Sequence, residues 1–140
     1  MSNDLLKLEN QLCFPLYSAA KEITRRYRPL LDTLGLTYTQ YICMMVLWEH
    51  ESATVGKIGE LLYLDSGTLT PMLKKMESAG LITRKRSPED ERVVVITITR
   101  KGMDLKEKAA DIPMKMAGCV QLSLEEAIEL RKLLGKIMQG

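Results

Sequence analysis

The sequence is poor in the residues that build metal centres and disulfide frameworks. Among 140 residues it has one His and three Cys. It has no Cys-x-x-Cys pair, which argues against a zinc site and against a disulfide-stabilised secreted domain. No run of about 18 apolar residues is present, so we expect no membrane span. The first residues lack the basic-then-apolar order of a signal peptide. We therefore predict a cytoplasmic protein without metal or cofactor.

An excess of charge of one sign is also missing, because the formal net charge is only +2. The basic residues are unevenly spread, however. Between Lys74 and Lys101, eight Lys or Arg stand against four Asp or Glu, whereas from Gly102 onward six of each cancel. A basic patch confined to one part of the chain is typical of a phosphate-contacting face. A solvated charged surface has the same composition, so charge alone leaves both interpretations open.

Helical periodicity is the main pattern that is present. Apolar residues recur every three or four positions over about residues 4–34 and again over about 100–138, which predicts long helices in both regions. Pro15 and Pro29 predict a bend or a break in the first. Capping residues predict the starts of the other helices. These helices are predicted to begin behind Thr37, Thr54, Asp65, Thr99 and Ser123.

A change of period separates the helices in the middle of the chain. Leu81–Arg86 and Arg92–Ile98 alternate with period two and are predicted to be strands, joined by a polar hairpin loop at Ser87–Glu91. Two short helices followed directly by a hairpin indicate a winged helix-turn-helix. The predicted fold class is therefore mainly α with a small β-hairpin wing.

The terminal helices predict how the chain assembles. The last helix has an apolar stripe that so small a domain cannot cover, and pairing it with the first helix of a second chain buries both. We predict one domain over residues 1–140. Within it, residues of about 4–34 and 100–138 form an intertwined homodimer, and residues of about 37–99 bind DNA.

The candidate DNA-binding residues lie on the helix behind Asp65 and on the hairpin. Small hydroxyl side chains at a helix N-terminus can contact base edges in the major groove, with lysines one turn further along for the backbone. Capping alone would also explain those hydroxyl residues. A wing-tip arginine can enter the minor groove, oriented by a carboxylate two positions away. The predicted DNA-binding set is Ser66, Thr68, Thr70, Lys74, Lys75, Arg86, Asp90 and Arg92.

The stretch Asp65-Ser-Gly-Thr-Leu-Thr-Pro-Met-Leu-Lys-Lys-Met-Glu-Ser-Ala-Gly-Leu-Ile82, with Asp90-Glu-Arg92, resembles the multiple-antibiotic-resistance regulator (MarR) family. This resemblance covers essentially the whole chain. It implies a homodimer that binds pseudo-palindromic operator DNA. The helix behind Asp65 is then the recognition helix, and Asp90 and Arg92 are wing residues.

The three cysteines differ in their surroundings. Cys43 lies in an apolar helix and is predicted to be a buried, inert core residue. Cys13, near Pro15 and Tyr17, fits either a core residue or a reactive thiol on local sequence alone. Cys119 follows Gly118 close to the predicted last helix, where a thiol can move.

A second resemblance addresses Cys13. Leu8-Glu-Asn-Gln-Leu-Cys-Phe14 and Leu34-Gly-Leu-Thr-Tyr38 are similar to the organic-hydroperoxide-resistance regulators (OhrR) within that family. The resemblance implies that Cys13 is oxidised by hydroperoxide, with Tyr17, Tyr27 and Tyr38 supporting the thiol. It also implies that a second thiol captures the sulfenic acid, either Cys119 of the other subunit or a small cellular thiol.

Two other functions fit parts of the sequence. A MarR-type repressor could be released by a small phenolic ligand in place of oxidation. A thiol peroxidase would use the same first step at Cys13, but the chain lacks a thioredoxin-like βαβ pattern and the basic wing would have no role. We therefore predict a non-enzymatic, redox-sensing repressor.

Overall fold

The computed structural model describes residues 2–139, which form seven α-helices and one small antiparallel sheet. Two short 3-10 segments, Ser2–Leu6 and Leu8–Asn10, precede the first helix. The elements are α1 (Cys13–Asp32), α2 (Tyr38–His50), β1 (Ser52–Thr54), α3 (Val55–Leu62), α4 (Ser66–Ser78), β2 (Ile82–Arg86), β3 (Val94–Ile98), α5 (Arg100–Ala109), α6 (Ile112–Val120) and α7 (Leu124–Met138).

The first helix starts later than the periodicity predicts. Helix α1 begins at Cys13, and Pro15 lies in its first turn, where a missing backbone N–H removes no hydrogen bond. The predicted interruption at Pro15 is therefore wrong. Pro29 lies inside α1 but does not end it, because the helix continues to Asp32.

The predicted capping boxes are confirmed by their hydrogen bonds. The Thr37 hydroxyl accepts from the Gln40 backbone N–H at 3.2 Å, and the Gln40 side chain accepts from the Thr37 N–H at 3.0 Å. Ser123 and Glu126 make the same reciprocal pair at 3.1 and 2.9 Å. Each box satisfies two N–H groups that a helix start leaves free. Single side-chain caps at Thr54, Asp65 and Thr99 begin α3, α4 and α5.

The sheet has one strand more than the predicted hairpin. The strand order is β1-β3-β2, with both pairings antiparallel. Ile82 pairs with Ile98 and Arg86 with Val94 across the hairpin. Strand β1, which the sequence analysis did not predict, pairs Ser52 with Thr97 on the other edge of β3. The central position of β3 explains its run of β-branched residues.

The predicted helix behind Thr99 is two helices. Helix α5 ends at Ala109, and α6 begins at Ile112 with Pro113 in its first turn. A continuous helix would need the Pro113 N–H to reach the Ala109 carbonyl, and proline has none. Cys119 therefore lies near the end of the separate helix α6.

The chain divides into two compact units. One combines the chain up to Arg26 with the chain from Asp111 onward, and the other is Tyr27–Ala110. The domain boundaries predicted above stay a prediction. No helix within residues 2–139 is long and apolar enough to cross a membrane. The core of the second unit contains Tyr41, Cys43, Met44, Leu47, Ile58, Leu69, Leu73, Met76, Ile82 and Ile96.

Gly102 provides a test of this core. A Cβ at Gly102 would press against the Leu81 carbonyl oxygen and lie 2.8 Å from Ile98 Cγ1. We expect Gly102→Ala to lower the free energy of unfolding by roughly 3 kcal/mol, the upper end for overpacking. Gly56→Ala is the control, because its nearest neighbour lies 4.0 Å away. Helix propensity makes that change neutral or stabilising by up to about 1 kcal/mol. Urea unfolding measures both, and equal stabilities would contradict the packing.

Candidate DNA-binding surface and thiol site

The N-terminus of α4 is fixed by its cap and by its buried face. The Asp65 carboxylate accepts a hydrogen bond from the Thr68 N–H at 2.8 Å, and hydrogen bonding from Thr68 lowers the pKa of Asp65. The opposite face is anchored in the core through Leu69 and Leu73. Ser66 and Thr68 are exposed on the first turn and Thr70 is half-buried. The buried face thus holds the polar face of α4 outward.

The wing is the hairpin of β2, β3 and the residues between them. Arg92 is 90% exposed there, and its Nε and Nη2 donate to the two Asp90 carboxylate oxygens at 3.2 and 3.3 Å. These bonds lower the pKa of Asp90, so the carboxylate stays charged at neutral pH and holds the guanidinium. This is the orientation that the Asp90–Arg92 spacing predicts.

Arg86 differs from Arg92 in its hydrogen-bond partner, which is a backbone carbonyl and not a carboxylate. Its Nη1 donates to the Glu91 carbonyl at 2.7 Å, across the wing loop. The Ser87 N–H donates to the Val93 carbonyl at 2.7 Å in the same loop. Arg86 therefore helps to shape the wing in addition to its predicted place among the DNA-binding residues.

A groove of about 970 Å³ lies between α3, α4 and the wing. We call it the α4–wing groove. It brings most of the predicted DNA-binding residues to one surface, and it adds Arg84, which the sequence analysis did not select. Thr68, Lys75 and Asp90 lie outside its lining. The polar and charged lining includes Thr54, Glu60, Ser66, Thr70, Lys74, Arg84, Arg86 and Arg92.

The three cysteines are free thiols with different access to solvent. Cys43 is buried, and burial raises its pKa to about 12, so it is protonated and inert at neutral pH. Cys13 is exposed at the first residue of α1, and Cys119 is exposed on α6. The predicted buried role of Cys43 agrees with its position in the core.

The end of α6 is held to α1 within the first unit. Nη1 of Arg26 donates to the carbonyl of Cys119 at 2.5 Å, and Arg26 also pairs with Glu22 at 3.2 Å. Gln121 then takes the left-handed conformation with φ 61°. These contacts fix the backbone at Cys119 while leaving its side chain exposed.

Two of the predicted sensor tyrosines belong to one aromatic cluster. The rings of Tyr27 and Tyr38 are 4.9 Å apart, and Tyr41 lies 5.7 and 6.2 Å from them. Burial raises the pKa of all three phenols, so they are neutral hydrogen-bond donors at neutral pH. Tyr17 is exposed on α1, with Nζ of Lys21 over its ring at 5.1 Å. Tyr41 is buried, and its all-apolar helix indicates only a core position, so the sequence pattern does not predict its place in this cluster.

A capped helix, an arginine-bearing hairpin and a third strand define a winged helix-turn-helix protein. Residues 25–109 match the family described as "Transcriptional regulator SarA/Rot". The chain is 57% identical over 136 residues to the organic hydroperoxide resistance transcriptional regulator of Bacillus subtilis, which covers 97% of this chain and 92% of that protein. The chain therefore belongs to the MarR-type family of winged-helix transcriptional regulators, which confirms the resemblance inferred from the sequence.

Solved structures agree with this assignment. Reduced AbfR bound to DNA has a TM-score of 0.83 at 33% identity, covering 99% of this chain and 95% of that one. Disulfide-formed AbfR has a TM-score of 0.69 at 34% identity, covering 99% and 97%. AbfR is a protein of Staphylococcus epidermidis. Since the relatives are transcriptional regulators, the prediction of a non-enzymatic protein is confirmed and the thiol peroxidase alternative is wrong.

The burial of Cys43 predicts its reactivity. At neutral pH a thiol reagent such as Ellman's reagent should not modify Cys43 in the folded protein, because reagent access and thiolate are both lacking. Folded wild type and folded Cys43→Ser should therefore release the same amount of chromophore. In guanidinium the wild type should titrate three thiols and the variant two. A smaller native signal from Cys43→Ser would show that Cys43 is accessible.

Proposed function

We propose that this chain is a redox-sensing transcriptional repressor that acts in the cytoplasm. It binds pseudo-palindromic operator DNA as a homodimer and leaves it when an organic hydroperoxide oxidises Cys13. The observation that carries the proposal is the division of the cysteines. Two are exposed, on α1 and α6, and the third is buried. The relation to an organic hydroperoxide resistance regulator supports the oxidant class.

Exposed apolar side chains support the homodimer. In the first unit Leu12 is 76% and Leu124 is 78% exposed, and apolar neighbours on α7 are also exposed. An apolar surface of this extent is unusual on a monomer and is buried when a second copy packs against it. A dimer also presents two copies of α4, which match the two half-sites of a palindrome.

The DNA contacts are assigned to α4 and the wing, the elements that border the α4–wing groove. The first turn of α4 carries hydroxyl groups for base edges, and Lys74 and Lys75 meet phosphates beside it. Arg92, held by Asp90, is suited to the narrow minor groove, where the potential is most negative. Phosphate contacts set the affinity, and base contacts select the operator.

The sensing chemistry is a two-step thiol oxidation. The Cys13 thiolate attacks the terminal, hydroxyl-bearing oxygen of the peroxide and the O–O bond breaks, so that the sulfur becomes sulfenic acid. The leaving alkoxide takes a proton from solvent and becomes an alcohol. A second thiolate then attacks this sulfur, the S–OH bond breaks, and a disulfide forms while the leaving hydroxide takes a proton from solvent and becomes water. We assign the second thiol to Cys119 of the partner subunit, with a small cellular thiol as the alternative. The AbfR structures include reduced, overoxidized and disulfide forms, which supports such a cycle.

The switch requires that oxidation changes the spacing of the two α4 helices. Both exposed cysteines lie on helices of the first unit, which also carries the exposed apolar surface. A disulfide between subunits therefore forms within the proposed dimer interface. Repacking that interface moves the two DNA-binding surfaces out of register with the operator.

Arg92 tests the DNA-binding role. We expect Arg92→Ala to weaken operator binding by about 1–3 kcal/mol, because the wing loses its minor-groove contact. Arg100→Ala is the matched control, since Arg100 is also an exposed arginine with a carboxylate partner, Asp104 at 3.4 Å, but lies outside the groove lining. Fluorescence anisotropy measures both affinities. Equal affinities for the two variants would remove the wing from DNA recognition.

Cys13 and Cys119 test the sensor. Cys13→Ser should bind operator and ignore cumene hydroperoxide, because serine keeps the shape and loses the thiolate. Cys119→Ser should still form sulfenic acid at Cys13 but no disulfide between subunits. Peroxide-treated wild type and Cys43→Ser should run as covalent dimers on a non-reducing gel, and reductant should restore DNA binding.

Three results separate the alternatives. A covalent dimer in Cys119→Ser would exclude Cys119 as the second thiol. Mass spectrometry that finds an added small thiol on wild-type Cys13 would favour the external partner. Operator binding that peroxide never alters would refute redox sensing and favour release by a bound ligand.

A further inference from the structure

We propose that Arg84 contacts a DNA backbone phosphate and that Glu77 is the positioning residue that holds it. This inference rests on the proposed DNA-binding function and deepens it. Arg84 lies on β2 and lines the α4–wing groove. Side chains alternate along a strand, so Arg84 shares a face with Arg86 and with the buried Ile82. Lys85 lies on the opposite face.

An ion pair fixes the Arg84 side chain. Its Nε donates to Glu77 Oε1 at 3.1 Å, and the side chain is only 28% exposed. Glu77 lies in the last turn of α4. The pair therefore joins the end of α4 to the base of the wing, the two elements that are proposed to contact DNA.

The guanidinium keeps most of its donors free. Arginine has five N–H donors, and this bond uses one of them. The two terminal amino groups make no hydrogen bond with residues 2–139 that the structure describes. Arg86 and Arg92, in contrast, direct terminal groups to the Glu91 carbonyl and the Asp90 carboxylate. Two adjacent terminal N–H groups match the oxygens of a phosphate.

The position of Glu77 is unfavourable for a carboxylate that lacks a cationic partner. A carboxylate near a helix C-terminus opposes the helix dipole, and beside a DNA-binding groove it repels phosphate. Pairing with Arg84 offsets both effects. It also limits the rotamers of a long side chain, which reduces the entropy lost when the guanidinium binds DNA.

Salt dependence provides the test of phosphate contact. The probe is a duplex recovered from a random pool on the reduced wild-type dimer, together with a scrambled duplex of equal length. One lost phosphate contact reduces the slope of log affinity against log salt by about 0.9 and weakens binding about five-fold at roughly 0.15 M salt. We expect this loss for Arg84→Met on both duplexes. Arg84→Lys should keep the slope, because it keeps the charge.

The matched control is Lys85→Met, which removes the same charge from the opposite face of β2. It should leave the slope close to that of the wild type. Circular dichroism melting of each variant confirms that the fold is intact. If Arg84 only connects α4 to the wing, Arg84→Met will lose affinity with an unchanged slope, and the proposal is overturned.

Glu77→Gln tests positioning through the sign of its effect. Removing a surface negative charge raises DNA affinity on electrostatic grounds alone. If Glu77 positions Arg84, Glu77→Gln lowers DNA affinity instead. We expect this decrease in affinity to be smaller than the five-fold decrease for Arg84→Met. In an Arg84→Met background the same substitution should cause no further loss. A rise in affinity in both backgrounds would refute the positioning role.

The proposed function and this inference fail in different ways. If the reduced wild type selects no duplex, DNA binding itself is refuted and the Arg84 contact with it. A second outcome is that the wild type binds the duplex and Arg92→Ala binds it more weakly. If Arg84→Met then has the same affinity and the same salt slope as Lys85→Met, only the Arg84 contact is refuted.

Discussion

The close contact at the start of α5 is the constraint on which the unit Tyr27–Ala110 depends. Nε1 of the buried Trp48 donates to the Gly102 carbonyl at 2.9 Å. One turn earlier, the Thr99 hydroxyl donates to the Gly80 carbonyl at 2.6 Å. Nζ of Lys101 donates to the Ala79 carbonyl at 2.8 Å. The end of α4 and the approach to β2 are thereby fixed to one point, and Gly80, with φ 79°, makes the turn between them possible.

Local signals were sufficient for most of the fold. A capping box needs only residues three apart, so the helix starts at Thr37 and Ser123 could be predicted from the sequence. Strand β1 was missed because its three residues become a strand only by pairing with β3, more than 40 positions later. The break between α5 and α6 was not predicted, although it has a local cause. Pro113 has no N–H to donate to the Ala109 carbonyl.

In the candidate site too, contacts between residues close in sequence could be predicted, and contacts between distant residues could not. Asp90 and Arg92 are two residues apart, and their pairing follows from spacing alone. Glu77 and Arg84 are separated by a turn, so their contact depends on how α4 meets β2. The aromatic cluster joins Tyr27 on α1 with Tyr38 and Tyr41 on α2, which periodicity does not specify. The proposed role of Cys13 rests on family resemblance, because its local sequence fits two interpretations.

The pairing of arginines with carboxylates affects how the protein searches a genome. Two such pairs are Arg92 with Asp90 and Arg84 with Glu77. Each pair has almost no net charge at distances beyond the screening length, which is about 8 Å at physiological salt. We therefore expect their attraction for DNA to be short-ranged, and we expect the long-range attraction to come from other proposed DNA-binding residues such as Lys74 and Lys75. With a net charge of only +2, we expect DNA of random sequence to retain the protein weakly. Since a genome presents about 10⁶–10⁹ competing sites, weak retention leaves more of a small protein pool free to occupy its operators.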